Sequence, residues 1–391
     1  MNQDDSSHAG GDFPEIRQEV ARLCSRYPGE YWRRLDAERA YPTEFVRDLT
    51  ESGYLSLLIP EAYGGSGLPL AAACAVLEEI HRAGCNGGAC HAQMYTMGTI
   101  LRHGSDAQKQ RYLPDIAAGR LRLQAFAVTE PESGTDTLAL KTRAVADGDD
   151  YVINGAKVWT SRAEHSDLML LLARTTARGD AASRTEGLSV FIVDLREARG
   201  HGVDIRPIPT MLNHATCEVF IDNLRVPAGN LIGEAGKGFR YILDGMNAER
   251  CLVSTEAIGN GRFFVKKAVD YANERVVFGR PIGQNQGIQF PIAEAYMEVE
   301  AANLMRYKAA ALFDAHQHCG AEANMAKHLA AKASWEAANA CLQTHGGFGF
   351  AAEYDVERKF RESRLYLVAP ISTNLILSYV AEHVLGLPRS F

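Results

Sequence analysis

The chain has 391 residues, 46% of them hydrophobic, which is too much for one simple core, so two or three domains are expected. A net charge of −7 and a pI near 6.0 argue against a nucleic-acid partner, because neutralising phosphates needs a basic surface and Lys and Arg are scattered here. Cys24, Cys74, Cys85, Cys90, Cys217, Cys251, Cys319 and Cys341 show neither paired zinc spacing nor the density of a disulfide scaffold, which points to a reducing, cytoplasmic setting. The start, Met1-Asn2-Gln3-Asp4-Asp5, is acidic and reads as neither a signal nor a transit peptide. No membrane span is expected, since the longest apolar run, Leu168 to Ala173, is far below the roughly 20 residues a helix needs.

From about Pro14 to Arg120 the pattern is helical, punctuated at Tyr41-Pro42, Gly53, Pro60 to Gly67, Gly84, Gly104 and Gly119. Leu77 and Ile80, then Met94, Met97 and Leu101, recur at the steps of a core-facing helix stripe. Tyr63-Gly64-Gly65-Ser66-Gly67 lacks Rossmann spacing and reads as a loop. His81, Cys85, Cys90 and His91 are close in sequence, but no second ligand pair follows them, so no metal is expected. Between Leu121 and about Val226 the period changes to 2, with turn signals at Asp147-Gly148, Asn154-Gly155 and Arg178-Gly179, as in an antiparallel barrel or sandwich. Within it, Phe126 to Asp136 is a short strand running into a turn rich in hydroxyls, and Tyr151 to Ser161 reads as a hairpin around Asn154-Gly155. Trp159 and Ser161 share a face there and could hold a flat heterocycle; the alternative is an ordinary β core.

Gly233 to Gly238 lacks the Ser or Thr of a nucleotide loop and opens a helix instead. On that helix, Phe239 to Arg275, the residues Ile242, Met246, Glu249 and Val253 fall on one face, which puts a carboxylate into an apolar stripe. Burial would raise its pKa and suit a general base for a carbon acid; a buried ion pair with Arg250 or a basic residue of another helix is the competing reading. Then comes Arg275-Val276-Val277-Phe278-Gly279, with Gln286 opening the next segment. Ala-rich helices follow from Gln289 to about Gln317 and from Ala321 to Leu342, ending at Gln343-Thr344-His345-Gly346-Gly347-Phe348-Gly349. Glu357 to Arg364 reads as a solvated, charge-paired helix.

The Thr129-Glu130-Pro131 turn with Gly134-Thr135-Asp136, the Gly155-Ala156-Lys157-Val158-Trp159 strand, the Arg275 to Gly279 break and the Gln343 to Gly349 segment together resemble the acyl-CoA dehydrogenase family over nearly the whole chain. The resemblance implies an α+β, mainly α fold: an N-terminal helical domain (1–122), a middle antiparallel β-barrel domain (123–232) and a C-terminal four-helix bundle (233–391). It implies FAD, held by Phe126, Val128, Thr129, Thr135, Trp159 and Ser161 of its own subunit. Arg275, Phe278, Gln286, Gln343 and Gly347 would reach the flavin of a neighbouring subunit, with Ser372 and Asn374 also on the cofactor, in a homotetramer. Thr135, Asn247 and Arg250 would contact an acyl-CoA substrate, and electrons would leave to electron-transfer flavoprotein.

One segment departs from the family pattern. Where much of the family carries a Glu base in Tyr-Glu-Gly-Thr, this chain has Ala369-Pro370-Ile371-Ser372. Met246-Asn247-Ala248-Glu249-Arg250 is similar instead to the segment that carries the base in isovaleryl-CoA and long-chain acyl-CoA dehydrogenases. By that similarity Glu249 takes the α-proton while the β-hydride goes to flavin N5. The departure leaves room for a flavin monooxygenase or a CoA-thioester desulfinase or lyase on the same fold, and for a non-catalytic oligomeric binding protein.

Overall fold

The computed structural model describes residues 12–390, so the acidic start lies outside the described residues. In chain order the first helices are α1 (Pro14–Cys24), α2 (Gly29–Glu38), α3 (Thr43–Glu51), α4 (Leu70–Arg82), α5 (Gly88–His103) and α6 (Asp106–Ala117). Strands follow: β1 (Leu123–Ala127), β2 (Arg143–Asp147), β3 (Asp150–Ser161), β4 (Leu168–Arg174) and β5 (Leu188–Asp194). A one-turn α7 (Leu195–Ala198) leads to β6 (Val203–Pro207), β7 (Thr216–Pro227) and β8 (Leu231–Ile232). The long α8 (Gly238–Glu274), a two-stranded ribbon of β9 (Val276–Val277) and β10 (Arg280–Pro281), α9 (Gln286–Asp314), α10 (Gly320–His345), α11 (Val356–Ser363) and α12 (Thr373–Tyr379) complete the chain. The fold is mainly α with one substantial sheet, as the change of period implied.

The chain forms two compact units that interleave in sequence. The β unit takes Arg39–Leu68 and Gly88–Met246; the helical unit takes the residues up to Glu38, Pro69–Gly87 and those from Asn247 on. The division falls inside α8.

In the β unit the sheet runs β6-β7-β3-β2-β4-β5-β8, with β1 also paired to β4. β4 explains its own continuous apolar run, because it is covered on both faces. Leu168, Leu170 and Leu172 join a core with Met97 and Ile100 of α5 and Leu113 and Ile116 of α6. Met169, Leu171 and Ala173 join a second core with Cys217, Val219 and Ile221 of β7. The expected antiparallel domain is mixed: β1 and β4 are parallel, and β2 meets β4 in parallel at Arg143 and Arg174. A parallel pair needs a long crossover, and residues 128–167 supply one.

The expected hairpin at Asn154-Gly155 is absent. β3 runs straight through it, pairing with β7 from Asp150 to Ser161, and the reversal lies earlier, where Asp147 faces Asp150 across Gly148 at φ 63°. Asn154-Gly155 is a register shift within the β3–β7 ladder. Gly155 is required there for closeness, since a Cβ would lie 2.4 Å from the Thr142 Oγ1.

In the helical unit, Val253, Phe264 and Ala268 of α8 pack with Val299 and Ala302 of α9 and Ala330, Ala337 and Cys341 of α10. Gly261 lets α8 and α9 approach, because a Cβ there would meet Val299 Cγ2 at 2.6 Å. Glu78 of α4 is fully buried among Arg17 (3.0 Å), Arg306 (3.2 Å) and Arg262. Burial alone would push its pKa up, but the three guanidinium groups hold it at about 2.

The 357–364 segment is a correction. Arg358, Lys359 and Glu362 of α11 are buried, not solvated. Glu362 accepts from Arg358 (2.9 Å) and Lys359 (2.8 Å), while Arg358 donates to the Gly84 carbonyl (3.0 Å) and Lys359 to that of Cys85 (3.0 Å). The charges pair inward because carbonyls at the end of α4 are left for them to satisfy.

Candidate active site

The flavin-type motif of the β unit starts at β1. Phe126 is half-buried at the end of the strand, and Val128 and Thr129 carry the chain into the Glu130 to Ser133 turn. The turn lies against β3, where the Val158 N–H donates to the Thr129 carbonyl at 2.9 Å. Beneath it sits a pair to which the sequence motifs give no role. The buried Lys157 ammonium donates to Glu130 Oε1 (2.9 Å) and to the Val128 carbonyl (3.0 Å). Glu130 also accepts from the backbone N–H groups of Lys141 (2.6 Å) and Thr142 (2.9 Å).

One carboxylate therefore fixes both ends of the 128–142 excursion. Burial brings Lys157 down to about 8 against the pull of Glu130. Burial opposes ionisation of Glu130 as well, yet Lys157 and the two backbone donors keep its carboxyl below the usual range.

On β3 the backbone at Trp159 turns to φ 61°, at a register shift between Lys157 and Thr160. The indole is thereby left 59% exposed while Thr160 beside it is buried. Ser161 is half-buried and Thr135 is exposed. A large aromatic kept out of the core beside hydroxyls and backbone donors has the chemistry of a site for a flat ring with a hydrogen-bonding rim, so these residues fit a flavin. Gly134 adds open space, since a Cβ at that position would have only Thr129 Cγ2 within 4.0 Å.

In the helical unit, Asn247, Glu249 and Arg250 occupy one turn of α8. Arg250 is buried and donates to Asn247 Oδ1 at 2.9 Å, while its Nε has no hydrogen-bond partner. Burial pushes Arg250 down, and the Glu249 charge opposes that shift. Glu249 is half-buried, so the apolar stripe holds it at its edge. Lys327 of α10 is 1% exposed, and its ammonium donates to the Ile371 carbonyl at 2.7 Å. Burial and the Arg250 charge bring it down to about 8, with Glu249 pulling the other way.

Sequence reasoning misses Lys327 too, although the spacing of Ala323, Lys327, Ala330 and Ala331 places it on the buried face of α10. The 367–375 loop is tied further by Thr373 Oγ1 to the Leu367 carbonyl (3.3 Å) and by Ser372, which accepts from the Leu375 N–H (3.4 Å) as the N-cap of α12. Asn374 is exposed.

A third cluster, also in the helical unit, surrounds the ribbon. Arg275 lies 5.7 Å from the centre of the Phe348 ring, which brings the ribbon to the Gln343–Gly349 segment. Gln343 and Gly347 are exposed, and Phe278 at the ribbon tip, with φ 52°, is completely so. Gln286 opens α9, next to Asn285, which accepts from Arg280 at 2.7 Å.

Family models for the acyl-CoA dehydrogenase N-terminal, middle and C-terminal domains match residues 12–120, 125–224 and 236–385. Acyl-CoA dehydrogenase FadE12 of Mycobacterium tuberculosis is 35% identical over 379 residues, covering 96% of each chain. Glutaryl-CoA dehydrogenase of Desulfococcus multivorans is 33% identical over 96% of this chain and 97% of its own. Among solved structures, a glutaryl-coenzyme A dehydrogenase in complex with glutaryl-CoA superposes with a TM-score of 0.90 at 31% identity, covering 100% of this chain and 98% of that one. The chain belongs to the acyl-CoA dehydrogenase family of flavin-dependent oxidoreductases.

Proposed function

We propose that the protein is an FAD-dependent dehydrogenase that converts an acyl-CoA thioester to the trans-2-enoyl-CoA, with Glu249 as the base for the α-proton. The observation that carries this reading is the setting of Glu249: a half-buried carboxylate on α8, on the same helical turn as Asn247 and the buried Arg250, which donates to Asn247 Oδ1 at 2.9 Å. Pro370 stands at the position where much of the family has a base, and a proline side chain accepts no proton. FAD, when bound, supplies the acceptor for the β-hydride. Phe126, Val128, Thr129, Thr135, Trp159 and Ser161 hold it in this chain, with Ser372 and Asn374. Thr135, Asn247 and Arg250 hold the thioester, and the buried, unpartnered Arg250 Nε supports that role.

The active form is a cytoplasmic homotetramer in which Arg275, Phe278, Gln286, Gln343 and Gly347 serve the neighbour's flavin, and electron-transfer flavoprotein takes the electrons. Two observations support assembly: Phe278 stands wholly in solvent, and α9 exposes Phe290, Met297 and Leu304 at steps of seven.

Glu249→Gln tests the reading. The variant keeps fold, flavin and thioester binding, while anaerobic flavin reduction by the best of a panel of straight, branched and aromatic acyl-CoAs falls about 10² to 10⁴-fold. Undiminished reduction in the variant would assign the proton to another group. If no thioester reduces the flavin of the unmutated protein, the monooxygenase or desulfinase-type lyase reading takes its place.

A further inference from the structure

His81 of α4 is buried where α4, α8 and α11 meet, and the chemistry proposed above does not use it. Its Nε2 accepts from the Gly87 N–H at 3.0 Å. A ring nitrogen that accepts carries no hydrogen, so the neutral imidazole has its proton on Nδ1, 3.3 Å from the Tyr366 hydroxyl. Asn260 of α8 reaches the same hydroxyl at 3.5 Å. Glycines bring the backbone up to the ring. A Cβ at Gly87 would lie 3.0 Å from His81 Nε2, and one at Gly259 of α8 would lie 2.8 Å from His81 Cβ.

Two charges face the ring at nearly equal range. The Lys359 ammonium of α11 is 3.5 Å from Nδ1, and Glu256 Oε1 of α8 is 3.6 Å from Nε2. Coulomb energy falls inversely with distance, so repulsion by the one and attraction by the other nearly cancel on a protonated ring, whatever the local dielectric. What remains is the cost of burying an imidazolium and the loss of the Gly87 bond, because a protonated Nε2 no longer accepts. The other charges nearby are engaged elsewhere. Glu362 accepts from Lys359 (2.8 Å) and Arg358 (2.9 Å), and on α4 Glu78 and Glu79 are paired with arginines. Tyr366 and, beside Lys359, Cys85 are further titratable neighbours. Burial first, and Lys359 second, hold His81 below its usual 6.5.

We propose that His81 is an acid-sensitive latch of the helical unit: the neutral ring fastens the Gly87 turn and Tyr366 to α4, and a second ring proton releases the Gly87 N–H and sets a cation beside Lys359, so that the α4–α11 seam opens as pH falls. The latch is independent of the assignment of Glu249. Opened to water, the ring recovers an ordinary affinity for its proton, so the open form binds the proton more readily than the closed one. Opening is therefore at its least above pH 6.5 and grows about tenfold for each unit below it, until the pKa of the closed form is reached.

Amide hydrogen exchange of the holoenzyme from about pH 8 to about pH 5, corrected for the chemical exchange rate, reads these opening constants. In the unmutated protein those of residues 84–88 and of α11 rise about tenfold per unit below pH 6.5. His81→Gln supplies an uncharged acceptor and donor, and its constants stay level over the same range. The other histidines are present in both proteins, so the difference reports position 81. A merely structural role shifts the constants by one factor at every pH, and such parallel profiles overturn the latch.

Lys359→Gln keeps a donor for Glu362 or the Cys85 carbonyl but removes the ammonium from beside Nδ1. The closed ring then takes its proton at higher pH, and the acid rise in opening is smaller than in the unmutated protein; an equal or steeper rise contradicts the arrangement. Thermal midpoints give an independent readout: as pH falls, the gap between the two proteins moves in favour of His81→Gln. If His81→Gln does not fold, the unmutated protein alone can still refute the latch, by opening constants that stay level across the whole range.

Discussion

Two buried lysines, one in each unit, hold a loop by its backbone, and they do so on opposite terms. Lys157 reaches the Val128 carbonyl and has a carboxylate, Glu130, at 2.9 Å whose other contacts are backbone donors. Lys327 reaches the Ile371 carbonyl, and the cation Arg250 adds to the burial that lowers its pKa. Both stand at about 8, so the number alone would make them equivalents. Their hydrogen-bond partners distinguish them: the first lysine pairs with a carboxylate, Glu130, while the second donates to a neutral carbonyl, that of Ile371.

The largest effect that would break this contrast is on stability. Lys157→Met strands the Glu130 carboxylate and should cost about 3–5 kcal/mol in denaturant unfolding, whereas Lys327→Met strands no carboxylate held in a closed pair and should cost far less. Equal losses would dissolve the distinction.

Glu130→Gln is the next step down, about 1–3 kcal/mol at neutral pH. Because the folded-state pKa of Glu130 lies below the usual 4.5, its contribution is present above that value and is lost as pH falls through the folded pKa. The gap between the two proteins should therefore close on acidification, as followed by thermal melts from about pH 6 to about pH 3.

Lys327 should show itself on the alkaline side. Its pKa is about 8 when folded and 10.5 when unfolded, so the folded state sheds its proton first. Stability of the unmutated protein should rise relative to Lys327→Met between those values, by on the order of 1 kcal/mol. A gap that does not change with pH would mean that the lysine is not titrating in the folded protein.

The smallest expected effect concerns Trp159. Trp159→Leu should weaken FAD binding by about 0.5–1.5 kcal/mol, roughly 2 to 10-fold in Kd by fluorescence titration, since stacking adds only modestly to burial. Lys157→Met should weaken FAD further by releasing the turn.

Local pattern was enough for the change of period at the β unit and for the helix that bears Glu249. It failed wherever a distant partner set the outcome. Asn154-Gly155 is a strong local turn signal, yet β7, some seventy residues on, pairs along the whole of β3 and leaves the dipeptide as a register shift. Arg358, Lys359 and Glu362 have the spacing of a solvated helix, and it is the Gly84 and Cys85 carbonyls, 274 residues away, that draw the cations inward. Lys157 and Glu130 both stand in quoted motifs, but their pairing across 27 residues, like that of Lys327 with the Ile371 carbonyl across 44, has no local pattern. The spacing that puts Glu249 with Ile242, Met246 and Val253 stops short of its environment, since the structure leaves the carboxylate half-buried.

The interleaving of the two units has a consequence for biosynthesis. Glu78 is made early, but Arg262 and Arg306 follow it by 184 and 228 residues. At about 5–20 residues per second, a ribosome takes roughly 10 to 50 s to deliver them. The β unit, complete at Met246, can close while α1, α2 and α4 still lack most of the unit they belong to. Those first helices are thus the stretch of a nascent chain most exposed to chaperones and proteases, and a translational pause placed just after Met246 would favour the nested unit at their expense.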